Sequence, residues 1–205
     1  MIRAYFNERA AVWDETVAEK DSGKLERMAR RLALEPGAKV LDVGTGTGVF
    51  LPYLLAMVGA GGGVVGLDVA DRMLLRACAK GFPGNVGYVC ADIMSVPCSD
   101  AHFDAVVCYS SFPHFQDKPR ALGEICRVLK TGGRLFICHT ASRTRINDIH
   151  SHNPQVSQDL IPDEDEVRRM LFTAGFGEVR IEDGPEDYLV SARKLSAGRR
   201  QAAHQ

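Results

Sequence analysis

The stretch Val40-Leu41-Asp42-Val43-Gly44-Thr45-Gly46-Thr47-Gly48 decides how this chain folds. Val40–Val43 is apolar enough for a short buried strand, and glycines stand at positions 44, 46 and 48. Glycine lets the backbone turn tightly and lets a ligand approach it closely. The pattern predicts a helix running from the last glycine through Phe50 to about Val58, with Pro52 tolerated in its first turn. Its N-terminus would add unpaired N–H groups and positive potential.

A strand, a glycine loop and a helix in that order suit an adenosine-bearing ligand. A dinucleotide fingerprint requires G-x-G-x-x-G. Gly44 and Gly46 satisfy it, but position 49 is valine and the third glycine comes one residue early, at Gly48. Asp42 stands two residues before the first glycine. Its carboxylate would repel a pyrophosphate, whereas S-adenosylmethionine carries an ammonium and a sulfonium.

Working outward, Val64–Asp68 reads as the second strand and Asp71 as the cap of a helix over 72–80. A carboxylate at the end of that strand, Asp68, can accept both hydroxyls of a ribose. Gly87–Cys90 is a third strand, with Asp92 just past its end. Phe103–Tyr109 is almost wholly apolar, as expected of a strand covered on both faces. A helix over Lys118–Leu129 stops at Thr131-Gly132-Gly133, and Arg134–His139 forms a fifth strand. Strands alternating with helices imply a parallel doubly wound sheet. Val179–Glu182 and Tyr188–Arg193 read as a closing hairpin. The expected fold is therefore α/β and Rossmann-like, with a mostly parallel seven-stranded sheet and an antiparallel C-terminal hairpin.

Upstream, residues 3–19 read as one polar helix carrying Tyr5, Phe6 and Trp13, and 24–34 as an amphipathic helix. Residues 1–194 are expected to form one domain, with 1–35 as a helical cap and the polar stretch 140–160 as a lid over the substrate. Residues 195–205 are expected to be a disordered tail. The length of 205 residues suits a single domain. A formal net charge of −1 argues against a general electrostatic grip on nucleic acid. No apolar run reaches the ~18 residues of a membrane span, and no signal peptide is evident, so a cytoplasmic monomer or homodimer is expected. The six cysteines form no C-x-x-C pair and read as buried free thiols of a reducing compartment.

Taken in order, these segments resemble the class I S-adenosylmethionine-dependent methyltransferases, and most closely the small-molecule branch of ubiquinone/menaquinone-biosynthesis methyltransferases. VLDVGTGTG resembles the first motif of that family and GLDVADRML the second. ADIMSVPCSDAHFDAVVCYSSFPHF resembles the third and fourth, and RALGEICRVLKTGGRLFI the helix, turn and strand beyond them, with Thr131 at the usual proline of the turn. The resemblance implies S-adenosylmethionine as cofactor and S-adenosylhomocysteine as product. It places Asp42, Gly44, Thr45, Gly46 and Gly48 in the loop. Asp68 and Val69 would lie at the ribose, and Met73, Asp92 and Ile93 at the adenine. Tyr109 would lie near the methionine end. YFNERAAVWDE, with Tyr5, resembles the aromatic helix that closes over the cofactor.

The substrate side should lie beyond the carboxyl ends of strands four and five. Phe112, His114, His139, Arg143, Asn147 and His150 are the candidate acceptor contacts, with His114, His139 and Tyr109 as candidate catalytic groups. His139, His150 and His152 are metal-ligand types, but H-x-H on a loop is easily chance and no metal site is expected. Two rival functions follow from the same residues: a non-catalytic S-adenosylmethionine-binding module, and a nicotinamide-dependent oxidoreductase, which Asp42 and the early Gly48 disfavour.

Overall fold

A computed structural model describes residues 2–17 and 19–196. Nearly all of the expected tail therefore lies outside the described residues. The elements are α1 (Ile2–Arg9), α2 (Trp13–Thr16), α3 (Ser22–Leu32), β1 (Lys39–Val43), α4 (Leu51–Val58), β2 (Gly63–Asp68), α5 (Asp71–Ala79), β3 (Val86–Cys90), β4 (Phe103–Tyr109), a short 3₁₀ turn (Phe112–His114), α6 (Lys118–Val128), β5 (Leu129–His139), α7 (Arg143–Ser151), α8 (Glu164–Thr173), β6 (Phe176–Asp183) and β7 (Tyr188–Lys194).

The sheet has seven strands in the order β3-β2-β1-β4-β5-β7-β6. The first five are parallel, and β7 runs antiparallel to both β5 and β6. Side chains alternate across the central strands. Leu41, Val43, Val106, Cys108, Leu135 and Ile137 face a core closed by α6 and α8. Val40, Val64, Val107, Phe136 and Cys138 face the opposite core, closed by α3 and α4. Strand β4 sits in the middle and is buried on both sides, which accounts for its lack of polar alternation. The chain order reverses between β1 and β4, so a crevice opens beyond their carboxyl ends at this switch point.

Several local expectations change. The N-terminal segment is two short helices broken at residues 10–12, not one. The polar stretch 140–160 contains a helix, α7, capped by the Ser142 hydroxyl, which accepts from Arg145 N–H at 3.2 Å. Few of its residues are apolar, so hydrophobic periodicity could not announce it. The residue capping α5 is Ala70; Asp71 lies in the first turn and turns outward. There its carboxylate accepts from Arg3 and Asn7, and these bonds, Arg3 first, hold its pKa down at about 2. Three of the six cysteines, Cys108, Cys126 and Cys138, are buried, but Cys78 and Cys90 are exposed. No helix among the described residues is long and apolar enough to cross a membrane.

Candidate functional site

The glycine loop is held by its own chain. Gly44 N–H and Thr45 N–H both donate to Leu67 O, at 2.7 and 3.0 Å, and Gly48 N–H donates to Thr45 O at 2.8 Å. Helix α4 begins only at Leu51. These three N–H groups thus shape the loop instead of facing outward. At Gly44 the backbone has φ +70°, and a Cβ there would lie 2.4 Å from Ser111 Cβ. Glycine is needed at 44 so that the loop after β4 can pack under the loop after β1. Ser111 Oγ completes that junction by donating to Val43 O at 2.6 Å. Gly46 has φ +56°, but a Cβ there would meet nothing nearer than 4.0 Å, so its side faces open space.

Two carboxylates stand at this loop. Asp42 is buried, and Thr45 Oγ1 donates to its Oδ2 at 2.6 Å. Burial pushes its pKa up to about 7, against the pull of the Thr45 bond and with the Asp68 charge adding to the rise. Asp68 accepts from Gly46 N–H and Ala70 N–H, each at 2.8 Å, one at each oxygen. Burial raises its pKa too, opposed by those N–H groups. Each Asp68 oxygen keeps a lone pair for a further donor. Among the described residues, neither acid forms an ion pair with a lysine or arginine. A cationic ligand with vicinal hydroxyls matches this donor demand.

The crevice has two lobes. The first, of about 120 Å³, is lined by Leu67, Asp68, Val69, Met73, Asp92 and Ile93 from β2, α5 and the β3 end, and closed by Ile2, Phe6 and Trp13 from the N-terminal helices. Asp92 Oδ1 accepts from Met94 N–H at 2.9 Å, which fixes that turn. The second lobe, of about 410 Å³, is lined by Tyr5, Glu19, Asp42, Gly44, Thr45 and Tyr109, and by His114, His139, Thr140, Ile146, His150 and Val156. Gly44, Ser110, His114, Phe6 and Trp13 border both. Ser110 holds φ +52°, a left-handed conformation uncommon for a residue with a side chain and concentrated at functional sites.

The N-terminal cap is tied across this crevice. Thr47 Oγ1 donates to Asp14 Oδ1 at 2.5 Å, and Lys80 pairs with the other Asp14 oxygen at 2.9 Å. Asn153 Nδ2 donates to Tyr5 Oη at 3.0 Å. Phe6 packs edge-on against both Trp13 and His114, at centroid distances of 5.5 and 5.1 Å.

Not every residue expected at the site reaches it. Phe112 is fully buried in the core beside Phe115 and does not border the crevice, because the 3₁₀ turn points it inward. Arg143 faces the C-terminal hairpin, where its N–H groups pair with Asp183 at 3.0 and 3.3 Å. Asn147 clamps Ile161, donating to its carbonyl at 3.0 Å and accepting its N–H at 2.9 Å. Gly48 packs beneath Phe82, away from either lobe. His152 is exposed and donates to Asp148 O at 2.8 Å, so it does not join His139 and His150. No group of three metal-ligand side chains converges among the described residues.

The three candidate catalytic groups differ sharply. Tyr109 stacks on Phe50 at 4.4 Å and bonds Thr140 Oγ1 at 3.1 Å, and burial pushes its pKa up to about 12. His139 is buried with its Nε2 unpartnered, and burial pulls its pKa down to about 3, helped by His114 and His150. A base so weak is mismatched to proton transfer near neutrality. His114 borders both lobes, and its Nδ1 lies 2.8 Å from Asp159 Oδ2. Asp159 and Glu19 carry no signal in the sequence, since neither lies in a motif and tertiary packing alone brings each here.

Comparison with known proteins agrees with this geometry. Residues 41–137 match the family described as a methyltransferase domain. The chain is 32% identical to the ubiquinone/menaquinone biosynthesis C-methyltransferase UbiE of Shewanella sediminis, over 87% of this chain and 84% of that one. It is 32% identical to the protein of the same name from Ectopseudomonas mendocina, over 77% and 74%. The structure of a SAM-dependent methyltransferase from Aquifex aeolicus superposes with a TM-score of 0.73 at 26% identity, covering 94% of this chain and 98% of that one. The chain belongs to the class I S-adenosylmethionine-dependent methyltransferases. Its cofactor is S-adenosylmethionine, and the nicotinamide alternative falls. The two relatives described above are C-methyltransferases of ubiquinone/menaquinone biosynthesis.

Proposed function

We propose that this enzyme transfers the methyl group in line to a small-molecule acceptor held in the second lobe. The observation that carries the proposal is the junction at Gly44, Ser110 and His114, where a cofactor lobe opens into a larger, mixed polar and apolar lobe. A non-catalytic binding module would use only the part of that lobe at Asp42, Gly44 and Thr45, and not the wall of His114, His139, Thr140 and Ile146 beyond it. The names of the relatives favour an electron-rich aromatic acceptor of the hydroquinone class, methylated at carbon.

In this reading Asp68 takes the ribose hydroxyls, Met73 and Ile93 pack against the adenine, and Asp92 meets its amino group. Asp42 meets the ammonium, directly or through water. When bound, S-adenosylmethionine supplies an electrophilic methyl carbon with sulfur as its leaving group. The protein's part is to hold the acceptor close and collinear, which converts a bimolecular encounter into a positioned one. Phe6, Trp13 and α7 wall the crevice and exclude water, which strengthens the electrostatics within. The segment 140–160 serves as the lid over the acceptor, with Ile146, Ile149 and His150 toward it.

Incubation with methyl-¹³C-labelled S-adenosylmethionine and a panel of hydroquinones, phenols and amines tests this. Label is expected on a ring carbon of a small hydroquinone. Label on nucleic acid or protein, or no turnover across the panel, would overturn the proposal.

A further inference from the structure

His114, which borders the second lobe, is paired with a carboxylate that lines neither lobe. His114 Nδ1 and Asp159 Oδ2 are 2.8 Å apart, and the two side chains are only 15% and 14% exposed. An ionised carboxylate only accepts, so the neutral imidazole carries its proton on Nδ1 and leaves the Nε2 lone pair free. Both partners are braced. Asp159 N–H donates to Val156 O at 2.9 Å, and its carbonyl accepts from His150 Nδ1. Val156 and Ile161 are buried, and the Asn147 clamp on Ile161 fixes the segment two residues beyond Asp159. On the opposite side, the ring of Phe6 meets His114 edge-on. The charged and titratable groups facing His114 are Asp159 from the segment after α7, Asp68 from β2, His150 from α7 and His139 from β5. Lys118 of α6 faces Asp159 from below.

Resting on the methyl-transfer reading above, we propose that His114 Nε2 is the general base and that Asp159 is its positioning residue. The acceptor is then a group that must surrender a proton, an O–H or acidic C–H compound, and not an amine that attacks through a free lone pair. For a hydroquinone, the O–H bond breaks and leaves its pair on oxygen, a π pair of the resulting phenolate forms the new bond from a ring carbon to the methyl carbon, and the hydrogen on that ring carbon passes to the oxygen as aromaticity returns. The carbon–sulfur pair stays on sulfur. The proton rests on His114 Nε2, the Asp159 carboxylate at Nδ1 offsets the charge of the imidazolium, and the proton then leaves to solvent. Burial holds the pKa of both His139 and His150 down, which disfavours a second imidazolium beside this charge.

The full chain labelled with ¹⁵N-histidine gives a direct readout. Long-range ¹H–¹⁵N correlation reports each imidazole tautomer, and the His114 signals are those missing from His114→Gln. Near neutral pH, His114 is expected protonated at Nδ1 and bare at Nε2, opposite to the form a free imidazole favours. Asp159→Ala should convert it to mainly the Nε2–H form, and Asp159→Glu should retain the wild-type form. S-adenosylhomocysteine affinity should stay within about two-fold in both, since Asp159 lines neither lobe. With a hydroquinone as acceptor probe, Asp159→Ala should lower kcat by ~10–100-fold while KM stays within about two-fold, and the Glu variant should recover most of it. The proposal is overturned by an Nε2–H tautomer in the wild type, by an unchanged tautomer in Asp159→Ala, or by a rise in KM with kcat intact. Failure of the wild type to methylate any acceptor would instead sink the methyl-transfer reading, and the base role with it, while the tautomer still reports the pairing.

Discussion

Replacing Asp42 by asparagine should make the ligand-free protein more stable and the cofactor site worse, with a pH signature that no merely steric change would produce. Asp42 is buried and its pKa is raised from 3.8 to about 7, first by desolvation. An acid whose pKa rises on folding favours the folded state while it is protonated. That contribution is full below the unfolded value and drains away as pH climbs through the folded one. A shift of roughly three units at ~1.36 kcal/mol each corresponds to about 4 kcal/mol lost between pH 4 and pH 8. Asparagine does not titrate, and its side-chain oxygen can still accept the Thr45 hydroxyl. The stability advantage of Asp42→Asn over wild type should therefore grow across that interval and level off above it. At ~2–4 °C per kcal/mol for a chain of this size, a rise in Tm of about 10 °C is expected at pH 8. The assay is thermal unfolding of both ligand-free proteins at pH 5, 6, 7 and 8, followed by calorimetric titration with S-adenosylhomocysteine. Loss of the charge-assisted contact to the ligand ammonium should weaken binding by ~1.5–3 kcal/mol. A stability difference that is flat with pH, or an asparagine variant less stable at pH 8, would refute the reasoning.

Other outcomes follow from the same geometry. Asp68→Ala should weaken S-adenosylhomocysteine binding by ~1–3 kcal/mol, read by calorimetry, because it removes the proposed acceptor for the ribose and releases Gly46 N–H and Ala70 N–H. Gly44→Ala should destabilise the fold by ~2 kcal/mol or more, since a methyl there meets Ser111 Cβ at 2.4 Å; adding Ser111→Gly should restore part of the loss in denaturant unfolding. Gly46→Val should abolish cofactor binding by filling the open side of the loop, and should cost only ~1–2 kcal/mol in fold stability, from forcing a β-branched residue to φ +56°. Measured affinity within two-fold of wild type would show that the ligand does not pass that side. Trp13→Ala should weaken cofactor binding several-fold and speed its release in stopped-flow fluorescence, because Trp13 and Phe6 close the first lobe.

The sheet was legible because its signal is local. Apolar runs of four to seven residues, glycines after the first of them and acids at the strand ends all recur within a few positions of one another, and a doubly wound sheet is the arrangement that satisfies them together. The residues proposed at the cofactor follow the same rule, since Asp42, Asp68, Asp92 and Ile93 lie at or just beyond a strand's carboxyl end and Met73 lies in the first turns of the helix that follows β2. Where side chains serve the wall of the second lobe, that rule stops working. Asn147 and Arg143 have the polarity of ligand contacts, yet one holds Ile161 and the other Asp183. Phe112 lies in the right loop but faces inward, because a single 3₁₀ turn sets its direction.

What the sequence alone determined is the parallel core, the glycine turn and the row of acids along its edge, each specified by neighbours a few residues away. What only the tertiary structure decided is how each imidazole is placed. His139 is buried and held neutral, His152 is turned to solvent, and His114 is met by Asp159, 45 positions further along the chain. Burial and charge pairing depend on groups that adjoin in space and not in sequence, and it is these, more than residue type, that set whether a histidine can take a proton.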